Sequence, residues 1–143
     1  MKYKILIVFL ILVSKSYAKI IDFEGKITKV VDGDTLVVNG DIKIRMACVD
    51  AYESSINKHL KYQVEKLNIS QEEILKLGLQ QKKALKLYEN KRVRVFFDTN
   101  NKLDKYNRLL GVVVFEENNS FDVLNKGLKY YNNTFLCKQF LLD

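Results

Sequence analysis

The stretch that decides the fold runs from residue 23 to residue 49 and reads FEGKITKVVDGDTLVVNGDIKIRMACV. Runs rich in β-branched and apolar residues lie at 23–31, 35–38 and 42–49, and short polar turns separate them. The second turn contains Asn-Gly, a strong hairpin signal because both residues tolerate a positive φ. Alternate residues of the third run should face a core, namely Ile42, Ile44, Met46 and Cys48. The stretch therefore predicts three consecutive strands.

The rest of the chain adds helices and two further strands. Residues 54–69 are polar and indicate no clear element, whereas SQEE at 70–73 has the pattern of a capping box. We expect a helix from there to about Glu89, weakened or split at Gly78. Strands are predicted at 93–97 and 109–115, a short helix after Ser120, and a last helix within 134–143. This order suits a mainly β fold with helices (α+β), a five-stranded Greek-key barrel of the OB type with two to three helices.

The first 18 residues have the layout of a secretory signal peptide. Lys2 and Lys4 precede an apolar run at 5–13, and SYA at 16–18 places small residues at positions −3 and −1 of a cleavage site. The rival interpretation is a membrane anchor, but this run has nine residues, whereas a spanning helix needs about 20. We therefore expect an exported protein, secreted or periplasmic, whose mature part is one domain at residues 19–143.

Composition limits the class of protein. Apolar residues make up 48% and aromatic residues 11% of the chain, which is typical of a globular domain rather than of disorder. The formal charge of +7 falls to +4 without the leader, because the leader carries three lysines and no acid. This mildly basic balance permits a polyanionic partner without requiring one. His59 is the one histidine and no CxxC pair occurs, which argues against a structural zinc site.

The two cysteines, Cys48 and Cys137, leave two alternatives open. In an exported protein an even number of cysteines is typical of a disulfide. Two buried apolar thiols would fit the sequence equally well. A disulfide between Cys48 and Cys137 is therefore a possible pairing that the sequence does not decide.

Acids and arginines near the predicted turns suggest chemistry on a phosphate. Asp34 lies between the first two strands, and Asp50 and Glu53 follow the third. Carboxylates without Cys or His suit a hard cation such as calcium or magnesium. Arg45 and Arg108 offer planar donor forks that match phosphate oxygens. Singly, each acid is as well explained as a plain turn residue and each arginine as a surface residue. Together they could neutralise a phosphate and activate a water for phosphodiester hydrolysis.

Three segments resemble the motifs of the micrococcal nuclease (thermonuclease, staphylococcal nuclease-like) family. They are VDGDT at 31–35, IRMACVDAYE at 44–53 and DKYNR at 104–108. The usual forms are a DGDT turn, an R-x(4)-D-x-P-E stretch and a DKYGR loop, and both their order and the spacing of their acids and arginines match. The resemblance covers about residues 23–131. It implies an OB-fold nuclease that uses Ca²⁺, cuts DNA and RNA, and leaves a 3′-phosphate.

Eight residues match positions to which this resemblance assigns a role. The implied catalytic residues are Arg45, Glu53 and Arg108. The residues implied to hold the metal are Asp34, Asp50 and, through its main-chain carbonyl, Ala51. The residues implied to lie near a terminal phosphate of the bound nucleic acid are Lys105 and Tyr106.

The chain also departs from the family pattern. Ala51 stands where the family usually has Thr, and Tyr52 where it usually has Pro, so the loop that aims Glu53 loses a φ constraint. The segment 54–77 is longer than the usual connection. The alternative function is a non-catalytic OB-fold module that binds nucleic acid or protein. Retention of all five catalytic-type residues favours the enzyme. We expect it to be a monomer that has nucleic acid as its substrate and no stable membrane association after the leader is removed.

Overall fold

The computed structural model describes residues 19–117, 120–124 and 127–140, together with Tyr17. Apart from Tyr17, the proposed signal peptide at 1–18 lies outside the described residues. Within the described ranges, no helix is both long enough and apolar enough to cross a membrane. The fold is mixed α+β and mostly β, as the sequence predicted, with three helices in the part that the structure describes.

Along the chain, a first β-rich part is followed by a pair of helices, a second β-rich part and a short last helix. The strands are β1 (Ile20–Asp32), β2 (Thr35–Val38), β3 (Ile42–Met46), β4 (Val49–Asp50), β5 (Arg92–Asp98), β6 (Leu109–Glu117), β7 (Ser120–Val123) and β8 (Leu128–Lys129). The helices are α1 (Lys58–Leu67), α2 (Gln71–Lys86) and α3 (Thr134–Phe140). The predicted strands at 23–31, 35–38, 93–97 and 109–115 are therefore confirmed within a few residues.

One sheet contains most of the strands, in the order β3-β2-β1-β5-β6-β7. The long strand β1 pairs antiparallel with β2 and with β5, and β5 pairs antiparallel with β6. In addition, β3 pairs in parallel with β6, Ile44 opposite Leu109 and Met46 opposite Gly111. This pairing places β3 beside β6, and apolar side chains of β1, β2, β3, β5 and β6 pack together in one buried cluster.

The third predicted strand is shorter than expected. It ends at Met46, and Cys48 has a positive φ of 75° that interrupts it before β4. Ile44, Met46 and Cys48 are buried as the alternation predicted, and Ile42 is half-buried. Arg45, on the opposite face, is also buried, with 8% of its surface exposed. Lys43 on that face is exposed, so the cover is local to Arg45, and it includes the chain after Cys48, whose Val49 carbonyl accepts a hydrogen bond from Arg45.

The capping-box prediction is confirmed, and of the two expectations for Gly78, a weakened or a split helix, the split is wrong. The Ser70 side chain accepts a hydrogen bond of 3.2 Å from the backbone N–H of Glu73, and α2 then runs unbroken to Lys86. Gly78 is buried where α2 crosses the residues before α1. A methyl group on Gly78 would overlap the carbonyl oxygens of Tyr52 and Glu53. The lack of a side chain at Gly78 therefore allows α2 to pack closely against the loop that contains Tyr52 and Glu53.

Two further segments differ from their predictions. The polar segment 54–69 contains α1, which Asn57 caps by accepting a 2.9 Å hydrogen bond from the Leu60 N–H. The residues after Ser120 form β7, not a helix, and pair antiparallel with β6. A helix of so few residues is marginal by itself, whereas pairing along β6 satisfies the backbone groups at once.

Cys48 and Cys137 form a disulfide, with their Cα atoms 5.5 Å apart. It ties the turn after β3 to α3 and lies in a small buried cluster with Ala47, Val112 and Leu136. Because α3 has only seven residues, this crosslink and the apolar contacts around it hold the helix against the sheet.

Candidate active site

A buried guanidinium group forms the centre of the candidate site. The Arg45 Nη2 atom lies 3.3 Å from Asp34 Oδ2 and 3.1 Å from Asp50 Oδ1. Its Nη1 donates to the carbonyl oxygens of Met46 and Val49, at 2.6 and 2.7 Å. The strand pairing explains the meeting, because Arg45 on β3 lies opposite Thr35, next to Asp34, at the start of β2. The predicted residues Asp34, Arg45 and Asp50 are therefore in contact.

Arg108 reaches the same carboxylate by a second route. Its Nε donates to Asp104 Oδ2 at 2.7 Å, and its Nη1 donates to Thr35 Oγ1 at 3.1 Å. The Thr35 hydroxyl in turn donates to Asp34 Oδ1 at 3.1 Å. Asn107 has a φ of 62°, the conformation that glycine usually adopts in such a turn. The turn between β5 and β6 thus delivers Arg108 to the end of β2.

Burial sets the electrostatics of Asp34. Removal from solvent raises the pKa of Asp34 to about 7, against the opposing charge of Arg45 and with a further increase from Asp32 nearby. Its Oδ2 also accepts a 2.8 Å hydrogen bond from the Ala51 N–H, which favours the ionised form. The site therefore holds a desolvated carboxylate that gains from any additional positive charge.

We expect the contribution of Asp34 to the free energy of unfolding to fall as pH rises through the window from about 4 to 7. The folded pKa of Asp34 lies above its ordinary value of 3.8, so the folded state binds more protons than the unfolded state in that window, and this contribution is lost as pH rises. Urea midpoints at several pH values with chelator, for wild type and Asp34→Asn, measure it. An equal pH dependence in the two proteins would contradict the assignment.

The loop that carries Glu53 is tied to both long helices. The Glu53 N–H donates to Gln63 Oε1 at 2.9 Å, and the Tyr52 N–H donates to Gln81 Oε1 at 2.7 Å. The half-buried carboxylate of Glu53 accepts a hydrogen bond from Asn57, the N-cap of α1. Among the described contacts it touches neither arginine, so the structure places Glu53 beside the buried centre and not in it.

Lys105 and Tyr106 lie on the exposed rim of the same turn. The Lys105 ammonium lies 5.0 Å from the centre of the Tyr106 ring, and the Arg108 guanidinium carbon lies 5.4 Å from it. Tyr106 is 67% exposed. The structure therefore brings these two residues next to Arg108, where a cationic and aromatic surface is open to solvent.

Sequence reasoning missed the side chains that α1 and α2 contribute. Gln63 and Gln81 hold the loop, and His59 Nε2 lies 2.8 Å from Asp50 Oδ2. A signal was present, because apolar residues at 60, 64 and 67 have helical spacing and place residue 63 on the same face. The polar composition of 54–69 concealed that short helix.

The donor atoms near Arg45 suit a hard cation. Asp34 and Asp50 offer carboxylate oxygens, and the Ala51 carbonyl accepts one 2.9 Å hydrogen bond from Gln63 and keeps a second lone pair. Calcium prefers oxygen ligands of this kind. Within the described residues no group of three or more His, Cys, Asp or Glu side chains could hold a metal ion. The carbonyl, solvent and a substrate phosphate would therefore have to complete the coordination shell.

No protein-family model matches this chain, and no curated protein matches it significantly.

Proposed function

We propose that this chain is a calcium-dependent nuclease of the thermonuclease type, which hydrolyses phosphodiester bonds in DNA and RNA. The observation that carries the proposal is the convergence of two guanidinium groups on one buried carboxylate. Arg45 contacts Asp34 directly at 3.3 Å, and Arg108 reaches it through Thr35. Guanidinium groups that are held in position in advance, in a partly desolvated site, can stabilise charge that develops on a phosphate.

The finer architecture that we propose is an OB-type barrel. The parallel pairing of β3 with β6 supports it, because the five strands β1, β2, β3, β5 and β6 then form an unbroken cycle of neighbours. Five-stranded barrels of this kind bind oligonucleotides or oligosaccharides on one face. In this arrangement the acids and arginines lie where strand ends and connecting turns meet.

Each side chain has a definite task in the proposed reaction. Asp34, Asp50 and the Ala51 carbonyl would hold a calcium ion, which when bound would neutralise and polarise the phosphate. Arg45 and Arg108 donate hydrogen bonds to the phosphate oxygens that gain charge as the water attacks. Among the described contacts Arg45 uses both of its Nη atoms on protein oxygens, and Arg108 uses Nε and Nη1. The donors that we propose for the phosphate are therefore Nε of Arg45 and Nη2 of Arg108.

Glu53 acts on the attacking water as general base or as its positioner. Its carboxylate accepts a hydrogen bond from Asn57 at one oxygen and has further acceptor sites for the water. The water oxygen bonds to phosphorus and its proton passes to Glu53, while the bond from phosphorus to the 5′ oxygen breaks. The leaving 5′ oxygen takes up a proton from solvent, and Glu53 returns its proton to solvent. The products are a 3′-phosphate and a 5′-hydroxyl.

Export is part of the same proposal. The disulfide between Cys48 and Cys137 supports a compartment outside the reducing cytosol, and calcium is available there. We propose a secreted or periplasmic monomer with nucleic acid as its substrate and no stable membrane association after leader removal.

The direct test is cleavage of single-stranded DNA and RNA by the purified protein in calcium, with a parallel reaction in a calcium chelator. We expect cleavage with calcium, none with chelator, and 3′-phosphate ends in the products. Binding of the same oligonucleotides is measured in parallel. Binding that persists without any cleavage would refute the nuclease and favour a non-catalytic binding module.

A further inference from the structure

The loop at 50–53 carries two proposed metal ligands and the proposed base, and one buried side chain holds three of its four residues. That side chain is Gln63 on α1, which is 1% exposed. We infer that Gln63 is a positioning residue for the active site and that α1 is therefore a working part of it. The inference rests on the proposed nuclease function and deepens it.

The hydrogen bonds of Gln63 run in both directions. Its Oε1 accepts from the Glu53 N–H at 2.9 Å. Its Nε2 donates to the Ala51 carbonyl at 2.9 Å and to Asp50 Oδ2 at 3.3 Å. A carboxamide has one acceptor oxygen and two donor hydrogens, so these three bonds use each of its polar functions. A Glu at this position would lack the donors and a Lys would lack the acceptor.

The rest of α1 holds the same loop from nearby positions. Asn57 caps the helix through its Oδ1 and, through its Nδ2, donates to the Glu53 carboxylate. His59 Nε2 lies 2.8 Å from Asp50 Oδ2. Leu60, one turn before Gln63, is 1% exposed and anchors the helix. Both the main chain and the side chain of Glu53 are therefore fixed by α1.

A second helix supports the loop from another side. The side-chain oxygen of Gln81 on α2 accepts a hydrogen bond from the Tyr52 N–H. Gly78, one turn earlier in α2, allows the helix to approach the carbonyl groups of Tyr52 and Glu53 closely. Tyr52 leaves its own φ free, whereas proline would fix it. The two glutamine side chains therefore supply the constraint that the loop's own sequence does not.

Position matters for Glu53 because its effect depends on geometry. A base must lie within hydrogen-bonding reach of the water that it activates, and a displacement of about 1 Å can cost about 10²-fold in rate. Gln63 contacts neither water nor phosphate in this scheme, so its loss should change kcat far more than KM. The bond from Nε2 to Asp50 also predicts a higher calcium requirement without it.

The test compares Gln63→Met with Gln80→Met. Methionine has similar length but cannot make the three hydrogen bonds, and Gln80 is an exposed residue of α2 that serves as the matched control. With a short oligonucleotide we expect kcat of Gln63→Met to fall about 10- to 100-fold, the range seen when a group that orients a metal ligand is lost. KM should change little, the calcium concentration for half-maximal rate should rise, and Gln80→Met should match wild type.

The outcomes separate this inference from the proposed function. Wild-type kcat and calcium requirement in Gln63→Met would overturn the inference alone. A wild type that never cleaves nucleic acid with calcium would overturn the proposed function, and this inference with it. If Gln63→Met does not fold, hydrogen exchange of the Glu53 amide in the wild type decides instead. Slow exchange is expected because that amide is bonded to Gln63, and exchange at the rate of an open loop would overturn the inference.

Discussion

Replacing Arg108 by alanine is expected to lower kcat for calcium-dependent cleavage about 10²- to 10³-fold, the usual cost of removing one donor that stabilises developing charge. Arg108 is oriented in advance, because Asp104 accepts its Nε–H at 2.7 Å and Thr35 accepts from Nη1 at 3.1 Å. Its side chain is 23% exposed, so it can reach a bound phosphate. The contact strengthens as charge develops, so kcat should fall more than affinity.

The measurement is a single-turnover rate together with KM for a short oligonucleotide. Arg92→Ala is the matched control, because Arg92 is an exposed strand residue that pairs with Glu24 and Glu116 on the sheet surface. Arg108→Lys keeps the charge but loses the planar fork, and we expect an intermediate rate. Full activity in Arg108→Ala would refute the role that we assign to Arg108, whatever the activity of the control.

The β-rich part of this fold could be predicted from sequence because its signals are local. Asn39 has a φ of 54° and Gly40 a φ of 87°, as the Asn-Gly turn between β2 and β3 requires. The pairing of β2 with β3 then brings Arg45 opposite Thr35. Proximity of Asp34 to Arg45 therefore follows from the local hairpin at residues 35–45.

The parts that could not be predicted depend on contacts between distant segments. Gly78 looked like a helix breaker, but the close packing of α2 on the Glu53 loop gives the glycine its purpose. Arg45 looked like a residue on an exposed strand face, but the chain after Cys48 turns back and buries it. Gln63 could not be predicted because, in a sequence, a buried polar residue cannot be distinguished from a surface residue until its hydrogen-bond partners are known.

The same limit applies to the function. The order of the acids and arginines in the sequence led to the nuclease hypothesis, and their spacing placed Asp34, Arg45 and Asp50 near one another. The spacing of these residues could not show that the loop with Glu53 is held by α1 and α2, the two helices that follow it in the chain. The distance from Gln63 Oε1 to the Glu53 nitrogen, 2.9 Å, is a property of the tertiary packing.

Arg45→Met is expected to have a still larger effect, because it removes activity and stability together. Arg45 is the ion-pair partner of both Asp34 and Asp50, and the three side chains are only 10%, 12% and 17% exposed, respectively. Removing one partner of a buried ion pair typically costs about 3–5 kcal/mol, because a charge is left without compensation. We expect a loss of that size in calcium-free protein and a rate at least about 10²-fold lower.

The pH dependence of this loss follows from the pKa of Asp34. The charge of Arg45 lowers that pKa, and burial raises it. Without Arg45 the carboxyl group stays protonated above the pKa of about 7 that it has in the wild type. As pH rises above 7 the folded wild type therefore releases this proton while the folded variant still binds it. The difference in unfolding free energy between wild type and Arg45→Met should therefore grow as pH rises, and urea titrations in chelator measure it.

Calcium provides the decisive comparison for Arg45→Met. If Asp34, Asp50 and the Ala51 carbonyl hold calcium, the ion supplies the positive charge that the variant lacks, and saturating calcium should narrow the stability gap to wild type. Activity should stay low, because the phosphate still lacks its Arg45 donor. Arg92→Met controls for loss of an exposed arginine. A gap that calcium leaves unchanged would place the cation away from these carboxylates, and a variant as stable as wild type in chelator would show that Arg45 does not compensate them.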